Sequence, residues 1–199
     1  DGNIFFAGSG EIFGNTKQPA NIHSRFMPKS PYAVAKSESL MLTNLYRDIY
    51  GINCKTGILF NHESSLRNEN YFTHKVINGA IECTKNKTKK INVGNLSLCR
   101  DWGCAKEYIE AMQIININKS NTNHIICTGK LVSLKQIVEK IFSLLDLNRQ
   151  DHIKIDENLF RKSDVQNSYG DPNPLEKELG WRYDKDINQP LEELLDIRL

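Results

Sequence analysis

The sequence predicts an α/β protein built on a mainly parallel sheet, and three observations carry that expectation. Short apolar runs bounded by glycine or polar loops alternate with longer stretches whose apolar residues recur every three or four positions, the pattern of βαβ units. The first apolar run, Asn3–Ala7, stops at Gly8-Ser9-Gly10, and the next, Cys54–Phe60, follows a long helix signal. The 199 residues are 39% hydrophobic and 25% charged, enough apolar material for a real core.

Taken in order, Asn3–Ala7 reads as a buried strand entering a tight loop. Ser30-Pro31 reads as an N-cap and first helical residue, and Gly51 as the stop, so a helix is expected through Tyr50. Ala35, Leu42, Leu45, Tyr46 and Ile49 fall at helical spacing along it. Cys54–Phe60 is a second buried strand, residues 61–70 a polar loop, and Tyr71–Lys85 a helix. The basic run Lys85–Lys90 reads as a solvated helix end. Short strands are expected at Ile91–Val93 and Leu96–Cys99, a helix at Lys106–Ile115 and a strand at His124–Cys127. Ser133 and Gln136 form a capping box for a helix to Leu145. Two short helices near Pro174–Leu179 and Leu191–Ile197 close the pattern.

Composition removes several functional classes. Twenty-six basic against 24 acidic side chains, without a basic stripe, argue against nucleic acid as a partner. No apolar run is long enough for a membrane span. Five cysteines, an odd number with no Cys-x-x-Cys pair, point to reduced thiols and a cytoplasmic protein. His62-Glu63 opens like a zinc-binding motif, but Leu66 stands where the second histidine belongs, so no metal site is expected.

Tyr32 and Lys36 stand one helical turn apart on one face. A nearby ammonium favours the phenolate, the form that acts as a base. Spacing alone decides little, since Tyr71 and Lys75 repeat it. Context favours the first pair: the strand ending at Ala7 delivers Ser9 and Glu11 beyond its carboxyl end, where open α/β sheets bind ligands. In extended geometry both side chains share a face, although the flanking glycines permit other shapes. Ser9 then serves as a hydrogen-bond donor and Glu11 as a second base.

Six stretches resemble one family. They are AGSGEIFG (7–14), SPYAVAK (30–36), GILFNHESSLRNE (57–69), NVGNLSLCRDWGCAKEYIEAM (92–112), LFRKSD (159–164) and GDPNPLEKELGW (170–181). On these the chain is similar to the extended short-chain dehydrogenase/reductase family of nucleotide-sugar enzymes, and within it to the GDP-mannose 4,6-dehydratase branch. The resemblance implies a Rossmann-type domain over 1–62 and a mainly nucleotide-sugar-binding domain over 63–199, with 92–128 partly returning to the Rossmann sheet. It implies Tyr32 as the base at the sugar 4-hydroxyl and Lys36 as the residue that steadies the phenolate and holds the nicotinamide ribose. Ser9 would hydrogen-bond the reacting hydroxyl, and Glu11 would take the C5 proton before water leaves from C6. Leu59, His62 and Arg67 match positions against the cofactor. Asn61, Lys75, Arg100 and Arg161 match contacts to the substrate, the arginines to its diphosphate. The implied cofactor is NADP, with NAD as the alternative. The implied assembly is a homodimer or homotetramer, packed through helices that include the one bearing Tyr32.

Two departures qualify the resemblance. Gly10 stands where sugar dehydratases carry a polar residue, in some relatives an aspartate that protonates the leaving hydroxyl. A 4-epimerase, a reductase or a C3/C5-epimerase would use the same Ser9-Tyr32-Lys36 set, and a non-catalytic remnant would use none of it. The Gly-rich loop that cradles a dinucleotide pyrophosphate is not in these 199 residues. With Asp rather than Met at position 1, the chain is expected to be a C-terminal portion that is inactive alone.

Overall fold

The computed structural model describes residues 2–119 and 121–198. Strand β1 (Ile4–Ser9) runs into a single 3-10 turn (Gly10–Phe13), and after a long loop helix α1 (Pro31–Tyr50) begins. Ser30 caps α1 by accepting from the Ala33 N–H, Pro31 supplies the first turn, and Gly51 ends the helix in the left-handed region at φ 63°. The chain then returns as β2 (Cys54–Leu59), a short β3 (Asn61–Glu63) and helix α2 (Phe72–Lys85). Next come β4 (Ile91–Val93), β5 (Cys99–Cys104), helix α3 (Ala105–Ile117) and β6 (Asn123–Ile126). β7 (Leu131–Ser133) leads into α4 (Leu134–Leu144), whose start carries the predicted capping box. β8 (Ile153–Ile155), β9 (Asn167–Ser168), α5 (Asn173–Leu179) and α6 (Asn188–Asp196) complete the order.

β1, β2 and β6 form a parallel sheet in that order, with Ser9 opposite Leu59 and Leu59 opposite Ile126. Helices α1 and α3 cover its two faces, and the strand alternation decides which side chain meets which. Ile58 and Ile125 pack with Leu40 of α1, whereas Leu59 and Ile126 pack with Tyr108 and Ile115 of α3. Each such buried aliphatic contributes about 1.5–3 kcal/mol. A second sheet pairs β5 with β3 and β9 in parallel and with β7 antiparallel; a third pairs β4 with β8 in parallel. A separate core lies between α2, α4 and α6, around Val76, Ile77, Ile141, Phe142 and Leu194.

Five expectations are corrected. β1 is buried only at its carboxyl end, and Ile4 is 51% exposed, because the strand pairs on one edge alone among the described residues. The α1 residues Leu42, Leu45, Tyr46 and Ile49 are all exposed, and the helix packs through Ala33, Ser37 and Leu40 instead. Residues 61–63 form a strand rather than loop, since β5 offers them a parallel partner. Leu96–Leu98 is a turn rather than a strand, because the Asn95 side chain accepts from the Ser97 N–H at 2.9 Å, and the strand starts at Cys99. The tight loop expected after the first strand is a 3-10 turn of four residues, Gly10–Phe13, held by the Ser9 cap.

Two buried charged groups are anchored. Asp101, inaccessible to solvent, accepts from the Thr128 N–H, Thr128 hydroxyl and Gly129 N–H at 2.8 Å each, and from the Gly170 N–H at 3.5 Å. Burial pushes its carboxyl up to about 6 against the pull of those bonds. Lys55 is buried with its ammonium on the Asn116 carbonyl in the last turn of α3, where the helix dipole favours a cation. His74, His124 and His152 are core residues, and Trp102 packs in the α2–α4 core. The five cysteines are free, four of them buried.

Candidate active site

The carboxyl ends of β1 and β2 open into a cleft of about 320 Å³, a size suited to a small ligand. Ser9, Glu11, Tyr32, Lys36, Leu59, Asn61, His62 and Arg67 all line it. The sheet explains the convergence: Ser9 and Leu59 are register partners at the strand ends, and α1 crosses back over β1 with Tyr32 and Lys36 in its first two turns.

Lys36 reaches from α1 to the sheet, where its ammonium donates to the Ala7 carbonyl at 2.8 Å. The same nitrogen lies 5.8 Å from the Tyr32 ring centre and 5.2 Å from that of Phe6. Tyr32 is half exposed and its ring edges the cleft. Ser9 is extended, but Glu11 already lies in the 3-10 turn, so the strand alternation does not carry on to it. Ser9 caps that turn, its hydroxyl oxygen accepting from the Glu11 N–H at 3.3 Å. That oxygen's own proton remains for a ligand. The Glu11 carboxylate, which lines both this cleft and the one beside it, accepts from the Ser30 hydroxyl at 3.3 Å.

Gly10 has a packing reason. A Cβ there would stand 2.8 Å from the ring of Phe60, which is itself buried and stacked on Phe13. A side chain at this position needs Phe60 to move.

On the other wall, His62 Nδ1 lies 2.8 Å from the Phe60 carbonyl, which can only accept, so Nδ1 carries the hydrogen. Burial pushes the imidazole down, which leaves Nε2 as an acceptor. Arg67 donates to the His62 carbonyl at 2.6 Å and lies 4.1 Å over the Tyr71 ring. It is also paired with Glu63 at 3.5 Å, while its Nε has no hydrogen-bond partner among the described residues. Glu63 is buried, and its carboxyl is pushed up to about 7 against the pull of Arg67 and the Thr73 hydroxyl.

A second, smaller cleft of about 150 Å³ adjoins the first and shares Glu11, Asn61 and Ser168 with it. Arg100 and Arg161 line it, together with Lys29. Arg100 is fixed by donating to the Cys99 and Val165 carbonyls at 2.8 and 2.7 Å. Burial pushes its guanidinium down, opposed by Asp164, Glu11 and Cys99. Lys75 lines neither cleft. Its ammonium donates to the Asn92 carbonyl at 2.9 Å, at the α2–β4 junction. Ser168, Met112 and Lys29 are lining residues that the sequence did not single out. Ser168 arrives through the pairing of β9 with β5, a contact between distant segments that leaves no local pattern.

The model of the GDP-mannose 4,6 dehydratase family matches residues 2–194. The chain belongs to that family. GDP-mannose 4,6 dehydratase 1 of Arabidopsis thaliana is 34% identical over 195 residues, covering 96% of this chain and 54% of the relative. The GDP-mannose 4,6-dehydratase of Sinorhizobium fredii is 30% identical over 202 residues, covering 92% and 58%. The chain thus spans about half the length of the curated relatives it matches. Among solved structures, the dTDP-glucose 4,6-dehydratase of Bacillus anthracis in complex with NAD superposes with a TM-score of 0.87 at 17% identity, over 98% of this chain and 60% of that one. RMD from Pseudomonas aeruginosa complexed with NADPH gives 0.87 at 18% identity, over 100% and 68%. These likenesses place the fold among Rossmann-type nucleotide-sugar enzymes. Members of the dehydratase family thus share a scaffold with epimerases such as the UDP-N-acetylglucosamine 4-epimerase of Methanobrevibacter ruminantium, at a TM-score of 0.83 and 22% identity over 98% of this chain and 62% of that one.

Proposed function

We propose that the full-length protein carrying this chain is a GDP-mannose 4,6-dehydratase, yielding GDP-4-keto-6-deoxymannose. The observation that carries the reading is the convergence of Ser9, Glu11, Tyr32 and Lys36 on one cleft in a chain of that family. The cleft suits the nicotinamide end of a dinucleotide. Lys36 and Arg67 supply cationic donors, His62 an acceptor, Leu59 an apolar wall, and the unpartnered Arg67 Nε wants a polar group. Lys36, Leu59, His62 and Arg67 would hold such a cofactor, NADP with NAD as the alternative, and it would supply the hydride acceptor for C4 and the hydride donor for C6.

The protein's own residues move protons. Tyr32 takes the proton of the 4-hydroxyl, and the Lys36 ammonium lies 5.8 Å from its ring centre. The Ser9 hydroxyl donates to the same sugar oxygen. Once C4 is a ketone, the C5–H is acidic, and Glu11 removes it as hydroxide leaves C6. Gly10 supplies no acid, so the proton that completes the leaving water comes from Glu11; as hydride reaches C6, C5 takes a solvent proton relayed through Glu11, which balances the proton that Tyr32 passes to solvent. Arg100 and Arg161 hold the diphosphate in the adjoining cleft with Asn61 between the two clefts, and Lys75 joins them only by releasing Asn92.

The exposed apolar stripe of α1 supports a homodimer, or a homotetramer built from it, closed through that helix. No described helix is long and apolar enough to cross a membrane, which together with the free cysteines supports a cytoplasmic enzyme. These 199 residues hold no pyrophosphate loop, so calorimetry on them alone is expected to detect no NADP binding and assays no turnover.

The test is turnover of GDP-mannose by the full-length protein in heavy water. The proposal requires deuterium at C5 and loss of the C6 hydroxyl. A product that retains the hydroxyl turns the reading to a 4-epimerase or reductase, and no turnover turns it to a non-catalytic binder.

A further inference from the structure

Ser30 occupies a junction that the proposed chemistry leaves unexplained. Its hydroxyl oxygen accepts from the Ala33 N–H at 3.1 Å, capping α1 two residues before Tyr32. The same hydroxyl lies 3.3 Å from Glu11 Oε2, an atom that only accepts when ionised. A serine hydroxyl has one proton to give and lone pairs to receive, so both bonds form at once. Ser9 meanwhile holds the Glu11 N–H from the strand side. Glu11 is exposed and sits in a turn of four residues, so little else restrains its side chain.

We propose that Ser30 is a positioning residue for Glu11, a hydroxyl that aims the carboxylate at C5 while locking the helix that carries Tyr32. The two proton-moving groups are thereby held in one frame: β1 delivers Glu11, α1 delivers Tyr32, and Ser30 ties one to the other. The proposal rests on the dehydratase reading, in which Glu11 acts at C5. Ser30 also lines the adjoining cleft assigned to the diphosphate, but the role proposed for it runs through Glu11. The separation of roles is what makes it testable, because a cap and a carboxylate donor ask different things of the residue. Glycine is nearly as good an N-cap as serine but has no hydroxyl, whereas threonine keeps both functions.

The experiment is a double-mutant cycle in the full-length protein, Ser30→Gly against Glu11→Gln. It is read as the rate of deuterium entry at C5 from heavy water, with melting temperatures measured for every variant. Ser30→Gly is expected to slow C5 labelling about tenfold or more, the share of a hydrogen bond to a charged group, with its melting temperature little changed. In the Glu11→Gln background the same substitution should have no further effect, since the group it acts through is gone. Ser30→Thr should restore labelling to within about threefold of the unmodified protein. Equal losses from Ser30→Gly with and without Glu11 would overturn the proposal and leave Ser30 a helix cap only. An unmodified protein that labels no C5 would instead overturn the dehydratase reading, and the positioning role with it.

Discussion

At the starts of α1 and α2 alike a tyrosine is followed four residues later by a lysine, and the two pairs end in different surroundings. Tyr32 lies inside α1 after a capped start, and Lys36 bends to the Ala7 carbonyl at the strand end. Tyr71 is itself the residue before α2, without a side-chain cap, and its ring lies under Arg67 while Lys75 turns to Asn92. The helices also differ in what they bury. α2 sinks Thr73, His74, Val76, Ile77, Ala80 and Cys83, whereas the longer α1 buries only Ala33, Ser37 and Leu40 and leaves its apolar stripe outside. A residue spacing becomes a site only where a strand end faces it, and an apolar stripe shows that a face is to be covered without saying by what.

The sharpest way to break this comparison is to remove one hydroxyl from each tyrosine. Tyr32→Phe in the full-length protein should lower kcat on GDP-mannose by about 10²–10⁴-fold, the range of a lost general base. Tyr71→Phe keeps the ring beneath Arg67 and should stay within about twofold. Comparable losses in steady-state kinetics would mean that the second pair also takes part.

A smaller effect separates the two apolar faces. Val76→Glu places an unpaired charge in the α2 core and should lower stability by about 3 kcal/mol or more in urea unfolding. Leu45→Glu, on the outer face of α1, should instead dissociate the proposed dimer in sedimentation while the released subunit stays folded. A dimer unmoved by Leu45→Glu would place the interface elsewhere.

The smallest expected effect concerns Glu63, which joins the start of α2 to Arg67. Its folded carboxyl titrates near 7 against an ordinary 4.5, so the native state holds a proton that the unfolded chain releases. Stability from this group is therefore full below about pH 4.5 and is lost as pH rises to about 7. Glu63→Gln should flatten that slope by about 2–3 kcal/mol across the window, measured by urea unfolding at several pH values. An unchanged slope would remove Glu63 from the account.

What the sequence made legible follows the range of the interactions involved. The Ser30-Pro31 start, the Gly51 stop and the Ser133–Gln136 box are contacts among near neighbours, and each element they bound was readable from its own residues. β5 was not. It carries Arg100, Asp101 and Gly103 and has no strand-like alternation; it forms because Asp101 finds backbone N–H groups from residues 128, 129 and 170. β7 and β9, three and two residues long, are too short to show any period. The same division runs through the site. Helical spacing and a strand end were enough to find Ser9, Glu11, Tyr32 and Lys36, whereas Ser168 and Met112 reach the cleft only through long-range packing. Ser30 was read as a cap, and its second bond became visible only with Glu11 folded back toward it.

The contact between position 10 and the ring of Phe60 bears on how this lineage can change. An acidic residue at 10 cannot enter by a single substitution without disturbing a stacked pair of phenylalanines in the core. The permissive step is at 60: a smaller residue there must come first, and by itself it opens a cavity with no gain in chemistry. Adding a separate proton donor therefore takes two linked changes, and under the proposed mechanism Glu11 alone serves both as base and as acid until both are made.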